Sequence, residues 1–236
     1  MLTDAPGDAV RNMSVDAALL ELAAAPTLRL YGWSPHAVSL GYFQSLAAFE
    51  DLPATTPIVR RTTGGGAIHH GDELTFSLAL DAELLPADVA SSYGMLHDAV
   101  ARALDEIGVS CRRAIDGQLS ARPEDRWCFE HPVQGDLLTD AGKLCGSAQR
   151  RQRRRVLHHG SLVLRRPAHT PSVAAVEDQV EPSEQVRRGL RAALVREFAA
   201  ALGLRPSHGE LSEAERGRAQ ALARDVYGAA AHTARR

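Results

Sequence analysis

Lysine is almost absent from this chain. Of its 27 basic residues, all but Lys143 are arginine. A genome biased toward Ala, Arg and Gly would account for the arginines but not for the exception. Arginine stays protonated in proteins, whereas lysine carries a compact ammonium that titrates when buried. Lys143 is therefore either a leftover surface residue or a position that needs an amine. Cysteine is scarce as well. Cys111, Cys128 and Cys145 are an odd number with no CxxC, which speaks against a disulfide framework and a zinc ribbon and for free thiols in a reducing, cytoplasmic setting. No run of 18 apolar residues occurs, so no membrane-spanning helix is expected. The opening MLTDAPGDAVRNM is acidic and lacks an apolar stretch, unlike a secretion signal. A net charge of −2 gives no sign of nucleic acid or a membrane surface as partner.

What is present suits one domain over residues 1–236, since 44% hydrophobic content supports a core. Apolar spacing predicts helices over Ser14–Ala24 and Ala87–Ile107, the second closed by Gly108. Leu28–Trp33 and Ala37–Phe43 alternate and read as a strand pair; Pro57–Arg61 and Leu74–Leu80 read as further strands. Cys111–Asp136 shows no regular pattern, as a functional loop would. Leu137–Leu164 reads as two strands around a polar turn. Two helices follow, Ser183–Leu202 and Glu213–Tyr227, the latter opened by a Ser212/Glu215 capping box. Short turns between most strands argue for an α+β fold, a mixed, largely antiparallel sheet with packed helices.

Three segments carry chemistry. In Arg60-Arg61-Thr62-Thr63-Gly64-Gly65-Gly66, glycines allow close approach to a ligand and the arginines offer forked donors for carboxylate or phosphate. The alternative is a flexible turn. The segment is neither a P-loop nor a dinucleotide fingerprint. Trp127-Cys128-Phe129-Glu130-His131-Pro132 places a thiol on a loop, where a cysteine is more reactive than at a strand position such as Cys145. In Gly142-Lys143-Leu144-Cys145-Gly146-Ser147-Ala148-Gln149 the lone lysine opens a strand whose small residues leave room for an extended ligand. Arg150–Arg155 is the densest charge run; it reads as a solvated turn, the alternative being a patch that steers an acidic carrier protein. His69-His70 and His158-His159 each offer one side chain per strand face, and no carboxylate or thiol spacing completes a metal set. One histidine of each pair is expected to face the cleft.

The order RRTTGGGAIHH, CFEHP, then GKLCGSAQRRQ with LHHGSLVL resembles the biotin/lipoate protein ligase and octanoyltransferase superfamily. The resemblance extends to Asn12-Met13 with Asp16, to Arg29–Pro35 and Gly41–Gln44, and to Leu222–Tyr227. Asp72–Ser77, Cys128–Pro132 and Gly146–Gln149 followed by Arg151-Gln152 look like the LipM-type octanoyltransferases. Gly66 departs from that branch, which carries arginine there, and is ligase-like. The accessory domain that many lipoate ligases append is not expected.

The resemblance implies a class II synthetase-like catalytic domain. It implies that Cys128 carries an octanoyl group as a thioester and that Lys143 assists it. Substrate contacts are expected at Arg60, Arg61, Gly64, Gly65, Gly66, His70, Gly146, Ser147, Ala148, His159 and Gly160. The implied donor is octanoyl-acyl carrier protein. The acceptor is a lysine of a lipoyl domain, such as the glycine cleavage H protein or a 2-oxoacid dehydrogenase E2, and no cofactor is required. An ammonium beside Cys128 would favour the thiolate, the nucleophilic form. Once the sulfur is acylated, Lys143 would act as base toward the incoming amine. The alternative is an ATP- and Mg-dependent lipoate-protein ligase in which Lys143 and Arg61 hold an acyl-adenylate; a third possibility is a non-catalytic binder on the same fold.

Overall fold

The computed structural model describes residues 1–116, 125–168, 170 and 172–235. In chain order the strands are β1 (Leu2–Thr3), β2 (Thr27–Tyr31), β3 (Ala37–Leu40), β4 (Ile58–Arg60), β5 (Ile68–His70), β6 (Glu73–Asp81), β7 (Arg112–Arg113), β8 (Leu137–Thr139), β9 (Gly142–Gln152) and β10 (Arg155–Val163). The helices are α1 (Ala9–Leu22), α2 (Val89–Asp105), α3 (Glu184–Leu202), α4 (Glu213–Leu222) and α5 (Ala230–Ala234). Ten strands form two sheets, ordered β1-β2-β6-β10-β9-β8-β7 and β4-β3-β5 among the described residues. Only β1–β2 and β3–β4 run parallel. The fold is therefore α+β with a mixed, mainly antiparallel sheet.

Strand alternation decides which face does what. Leu74, Phe76, Leu78 and Leu80 point from β6 to one side, where they pack on Leu96, Val100 and Leu104 of α2 and Leu190, Leu194 and Phe198 of α3. Each such buried side chain contributes roughly 1.5–3 kcal/mol. The residues between them face the other way: Thr75 pairs with Ser161 and Ser77 with His159, and all four are buried. A buried polar face needs partners; here it floors the cavity described below. Helix ends are set locally. Asp8, Asp88, Ser183 and Ser212 cap α1 to α4 in order by accepting from a backbone N–H in the first turn. The Ser212/Glu215 capping box is present, and Gly203 ends α3 in the left-handed region at φ 65°.

Four sequence expectations need correction. Leu28–Trp33 and Ala37–Phe43 do not pair with each other: β2 joins the large sheet, and β3 is the centre of the small one. Residues 137–164 hold three strands rather than two, because Thr139 and Gly142 close a tight turn before Lys143. The patternless stretch contributes β7 and a bridge between Ala67 and Trp127. The last predicted helix is α-helical only to Leu222, continues as a π-turn through Tyr227 and is followed by α5. No helix among the described residues is long and apolar enough to cross a membrane.

Candidate active site

The polar floor, the glycine loop and the N-terminal half of α2 enclose a cavity of about 710 Å³. Cys128 and Lys143 meet on its wall. The loop carrying Cys128 is pinned to the glycine segment: Ala67 N–H donates to Arg126 O at 2.9 Å, and Cys128 N–H to Ala67 O at 2.8 Å. Gly66 makes this approach possible, since a Cβ there would lie 2.8 Å from Cys128 N and 2.9 Å from Asp125 O. Its role is to seat the cysteine loop; it does not line the cavity.

Lys143 enters from β9 and is 1% exposed. Its Nζ donates to Asp136 Oδ2 at 2.7 Å, to Cys128 O at 3.2 Å and to Cys128 Sγ at 3.3 Å. The Phe129 ring lies 5.0 Å from the ammonium. Burial pulls the lysine pKa down, but the Cys128 sulfur and the Asp136 carboxylate outweigh it and hold the pKa above the usual value. Asp136 is itself placed by Val133 N–H, which donates to Oδ2 at 2.7 Å. A buried ammonium therefore stands between a carboxylate and a thiol. Asp136 was not expected; it closes the patternless stretch, and nothing in its own segment marks it. The other thiols differ. Cys145 is fully buried, and burial pushes its pKa well up. Burial, aided by Asp105, pushes Cys111 up to about 11.

Gly146 lies against the same lysine. A Cβ there would sit 2.6 Å from Nζ, so the space is filled by the lysine tip and not left for a ligand. Gly160 likewise makes room for the Phe76 ring, whose Cε1 would be 2.7 Å from a Cβ. Both glycines, with Ser147, Ala148, Gly64 and Gly65, still border the cavity.

The two arginines part company. Arg61 lines the cavity, yet its guanidinium is turned onto the chain: it donates to Ser39 O at 2.9 Å, Gly64 O at 2.8 Å and Gly66 O at 2.7 Å. It thus moulds the glycine loop. Arg60 does not reach the cavity. It donates to Gln44 O at 2.6 Å, Gly41 O at 3.0 Å and Thr233 O at 2.7 Å, tying α5 to β4. The expectation of a ligand-facing fork at Arg60 is corrected: buried carbonyls left by the irregular segment after β3 claim its donors.

His70 and His159 both border the cavity, one from each pair, as alternation allows. His70 stacks on Trp33 with ring centroids 3.6 Å apart, and its ring nitrogens reach Ser39 Oγ at 2.7 Å and Glu73 Oε1 at 2.9 Å. His159 Nε2 meets Thr63 Oγ1 at 2.8 Å, and Nδ1 lies 3.6 Å from Asp16 Oδ2. Asp16 also accepts from Arg29 and Tyr31, each at 2.8 Å. No cluster of metal-ligating side chains occurs among the described residues. The Arg150–Arg155 run spans the end of β9, a turn at Arg153 and Arg154, and the start of β10; Arg154 and Arg155 pair with Glu83 and Asp81, and Arg151 donates to Pro86 O and Ser92 Oγ.

The lipoyl protein ligase A/B catalytic domain model matches residues 8–212. The chain belongs to that family. Octanoyltransferase LipM of Kyrpidia tusciae is 33% identical over 94% of this chain and 93% of its own length. Octanoyltransferase LipM of an Exiguobacterium species is 38% identical over 65% of this chain, a match spanning 61% of that relative's length. Among solved structures, lipoate-protein ligase A bound with ATP superposes with a TM-score of 0.81 at 23% identity, covering 99% of this chain and 96% of that one. Protein Ta0514 of T. acidophilum with bound lipoic acid gives 0.81 at 22%, covering 100% and 97%. These structural likenesses establish the shared fold. The sequence kinship places the chain beside the LipM branch.

Proposed function

We propose that this chain moves an octanoyl group from the thioester of an acyl carrier protein to a lysine of a lipoyl domain, through an octanoyl-Cys128 intermediate. It is an acyltransferase. The observation that carries the mechanism is the 3.3 Å separation of Lys143 Nζ and Cys128 Sγ. In the first half the Cys128 thiolate, paired with the ammonium, attacks the donor carbonyl. The carbon–sulfur bond to the carrier breaks, and its thiolate takes the Lys143 proton. In the second half the acceptor amine attacks octanoyl-Cys128. Neutral Lys143 takes a proton from the nitrogen, and the Cys128 thiolate leaves to pair again with the ammonium. Asp136 at 2.7 Å favours the ammonium throughout, so it makes Lys143 a stronger base in the second half and a more reluctant acid in the first.

The acceptor assignment draws support from a structural neighbour described as a bipartite lipoate protein ligase with its E2 lipoyl domain. The glycine cleavage H protein and 2-oxoacid dehydrogenase E2 domains present such a lysine, and the setting is cytoplasmic. No cofactor takes part in the scheme. In the ligase alternative, ATP and Mg would produce an acyl-adenylate. The cations expected to hold its phosphate were Arg61 and Lys143. Arg61 is occupied by three carbonyls and Lys143 by Asp136 and Cys128, an arrangement that favours the thioester route. The test is acyl transfer to a lipoyl domain with two donors in parallel. Transfer from octanoyl-acyl carrier protein without ATP is expected; transfer only from free acid with ATP would overturn the proposal.

A further inference from the structure

A second polar pair, one member on the cavity wall and the other buried behind it, has no part in the scheme above. Ser147 is half-buried on β9 and borders the cavity. Its Oγ lies 2.6 Å from Nε2 of His97 on α2, and His97 is fully buried. His97 Nδ1 is hydrogen-bonded to the Gly135 carbonyl. A carbonyl only accepts, so Nδ1 carries the ring proton, Nε2 of the neutral ring is an acceptor, and the Ser147 hydroxyl donates to it. Burial holds His97 in this neutral form, pulling its pKa below the usual value against the Gly135 carbonyl and Asp136. The one proton of Ser147 is thereby committed inward, and its oxygen has only lone pairs left for the cavity. No other hydrogen bond to Ser147 Oγ occurs among the described residues.

Proton balance in amide formation calls for such a group. An acceptor lysine arrives as an ammonium, because its ordinary pKa is about 10.4. Its nitrogen must lose one proton to gain a lone pair and a second when the tetrahedral intermediate collapses. Neutral Lys143 accepts one of them and is then a full ammonium with no lone pair. The other proton needs a separate acceptor, one that faces the cavity and is not already a donor to it.

We propose that Ser147 Oγ receives an N–H of the acceptor lysine and that His97 takes the first proton through the Ser147 hydroxyl. The ammonium proton passes to Oγ as the hydroxyl proton passes to Nε2. His97 becomes an imidazolium, with Nδ1–H still on Gly135; against the burial that keeps the resting ring neutral, the Gly135 carbonyl and the Asp136 carboxylate favour the charge. The freed nitrogen lone pair forms the carbon–nitrogen bond, the carbon–sulfur bond to Cys128 breaks, and the second proton goes to Lys143. After the product leaves, His97 returns its proton through Ser147 to water. This inference rests on the lysine-acceptor part of the proposed function and not on the donor, since an acyl-adenylate would pose the same demand.

The test separates the two half-reactions. Acylation by octanoyl-acyl carrier protein and single-turnover transfer from isolated octanoyl-enzyme to a lipoyl domain are timed for wild type, Ser147→Ala and Ser147→Thr. Ser147→Ala is expected to slow the second half about tenfold relative to the first, the worth of one neutral hydrogen bond. Ser147→Thr, which keeps the hydroxyl, is expected to restore the ratio. A Ser147→Ala enzyme whose two halves slow equally, or whose second half keeps its wild-type rate, overturns the assignment. If wild-type enzyme is never acylated, the cysteine route fails. The Ser147 assignment is then decided by ATP-driven transfer, where Ser147→Ala must slow amide formation from the preformed adenylate.

Discussion

Replacing Gly146 with alanine tests the lysine–cysteine contact without touching either residue. A Cβ at position 146 would lie 2.6 Å from Lys143 Nζ, and ordinary contact begins at 3.4 Å. Lys143 Cε would be nearer still, at 2.3 Å, so the lysine tip must shift, the ammonium by about 0.8 Å to reach ordinary contact. If it moves away from Cys128 Sγ, now 3.3 Å distant, the Coulomb attraction between ammonium and thiolate weakens by about 1 kcal/mol at an effective dielectric of about 20. That disfavours the ammonium–sulfur contact roughly fivefold. The assay is the rate of iodoacetamide alkylation at Cys128, followed by peptide mass. The other thiols stay silent at neutral pH, because burial holds Cys111 near 11 and Cys145 well above its usual value. Gly146→Ala is expected to alkylate about fivefold more slowly and to lose acylation rate in proportion, with a melting curve showing that the fold persists. A folded Gly146→Ala protein that alkylates at the wild-type rate would refute the reasoning.

Three further outcomes follow from the same geometry. Lys143→Arg keeps the charge but removes the transferable proton, so overall transfer should fall by about 10²–10⁴; near-normal turnover would remove the acid–base role. Asp136→Asn leaves an ammonium buried beside a neutral amide, which should cost about 3–5 kcal/mol and lower the melting temperature by about 2–4 °C for each kcal/mol; an unchanged melt would show that the pair is not structural. His70, His97 and His158 are all held below the usual histidine value, chiefly by burial. The unfolded chain therefore binds more protons than the folded one below pH ~6.5, and stability must fall as the pH drops from there toward the folded values. Thermal melts between pH 7 and 5 should show this loss, and a flat profile would contradict neutral burial of the three rings.

The site was more legible than the frame that builds it. Strand alternation implied that one histidine of each pair would face the cavity, since that rule depends only on local geometry, and the family resemblance pointed to His70 and His159, which border it. Loop position and residue type singled out Cys128 and Lys143, which the structure brings together across 15 residues. Composition could not indicate the partner strand of Ala37–Leu40, since pairing is decided by long-range packing: Val38 and Leu40 bury against Phe49 and Trp127 in a separate small core. Nor could it show where Arg60 points. Its donors answer to carbonyls of Gly41, Gln44 and Thr233, the last 173 residues away. Asp136 and His97 escaped notice for the same reason. Each is an ordinary residue in its own segment and gains a role only from what lies against it, the ammonium in one case and Ser147 in the other.

The central claim is that Cys128 carries the acyl group. Intact-mass measurement during the first turnover with octanoyl-acyl carrier protein, without ATP, tests it most directly. One octanoyl adduct should appear, map to Cys128, vanish in Cys128→Ser and discharge when a lipoyl domain is added. Lipoyl-domain octanoylation that proceeds in Cys128→Ser at the wild-type rate, with no adduct on the wild-type protein, would contradict the account.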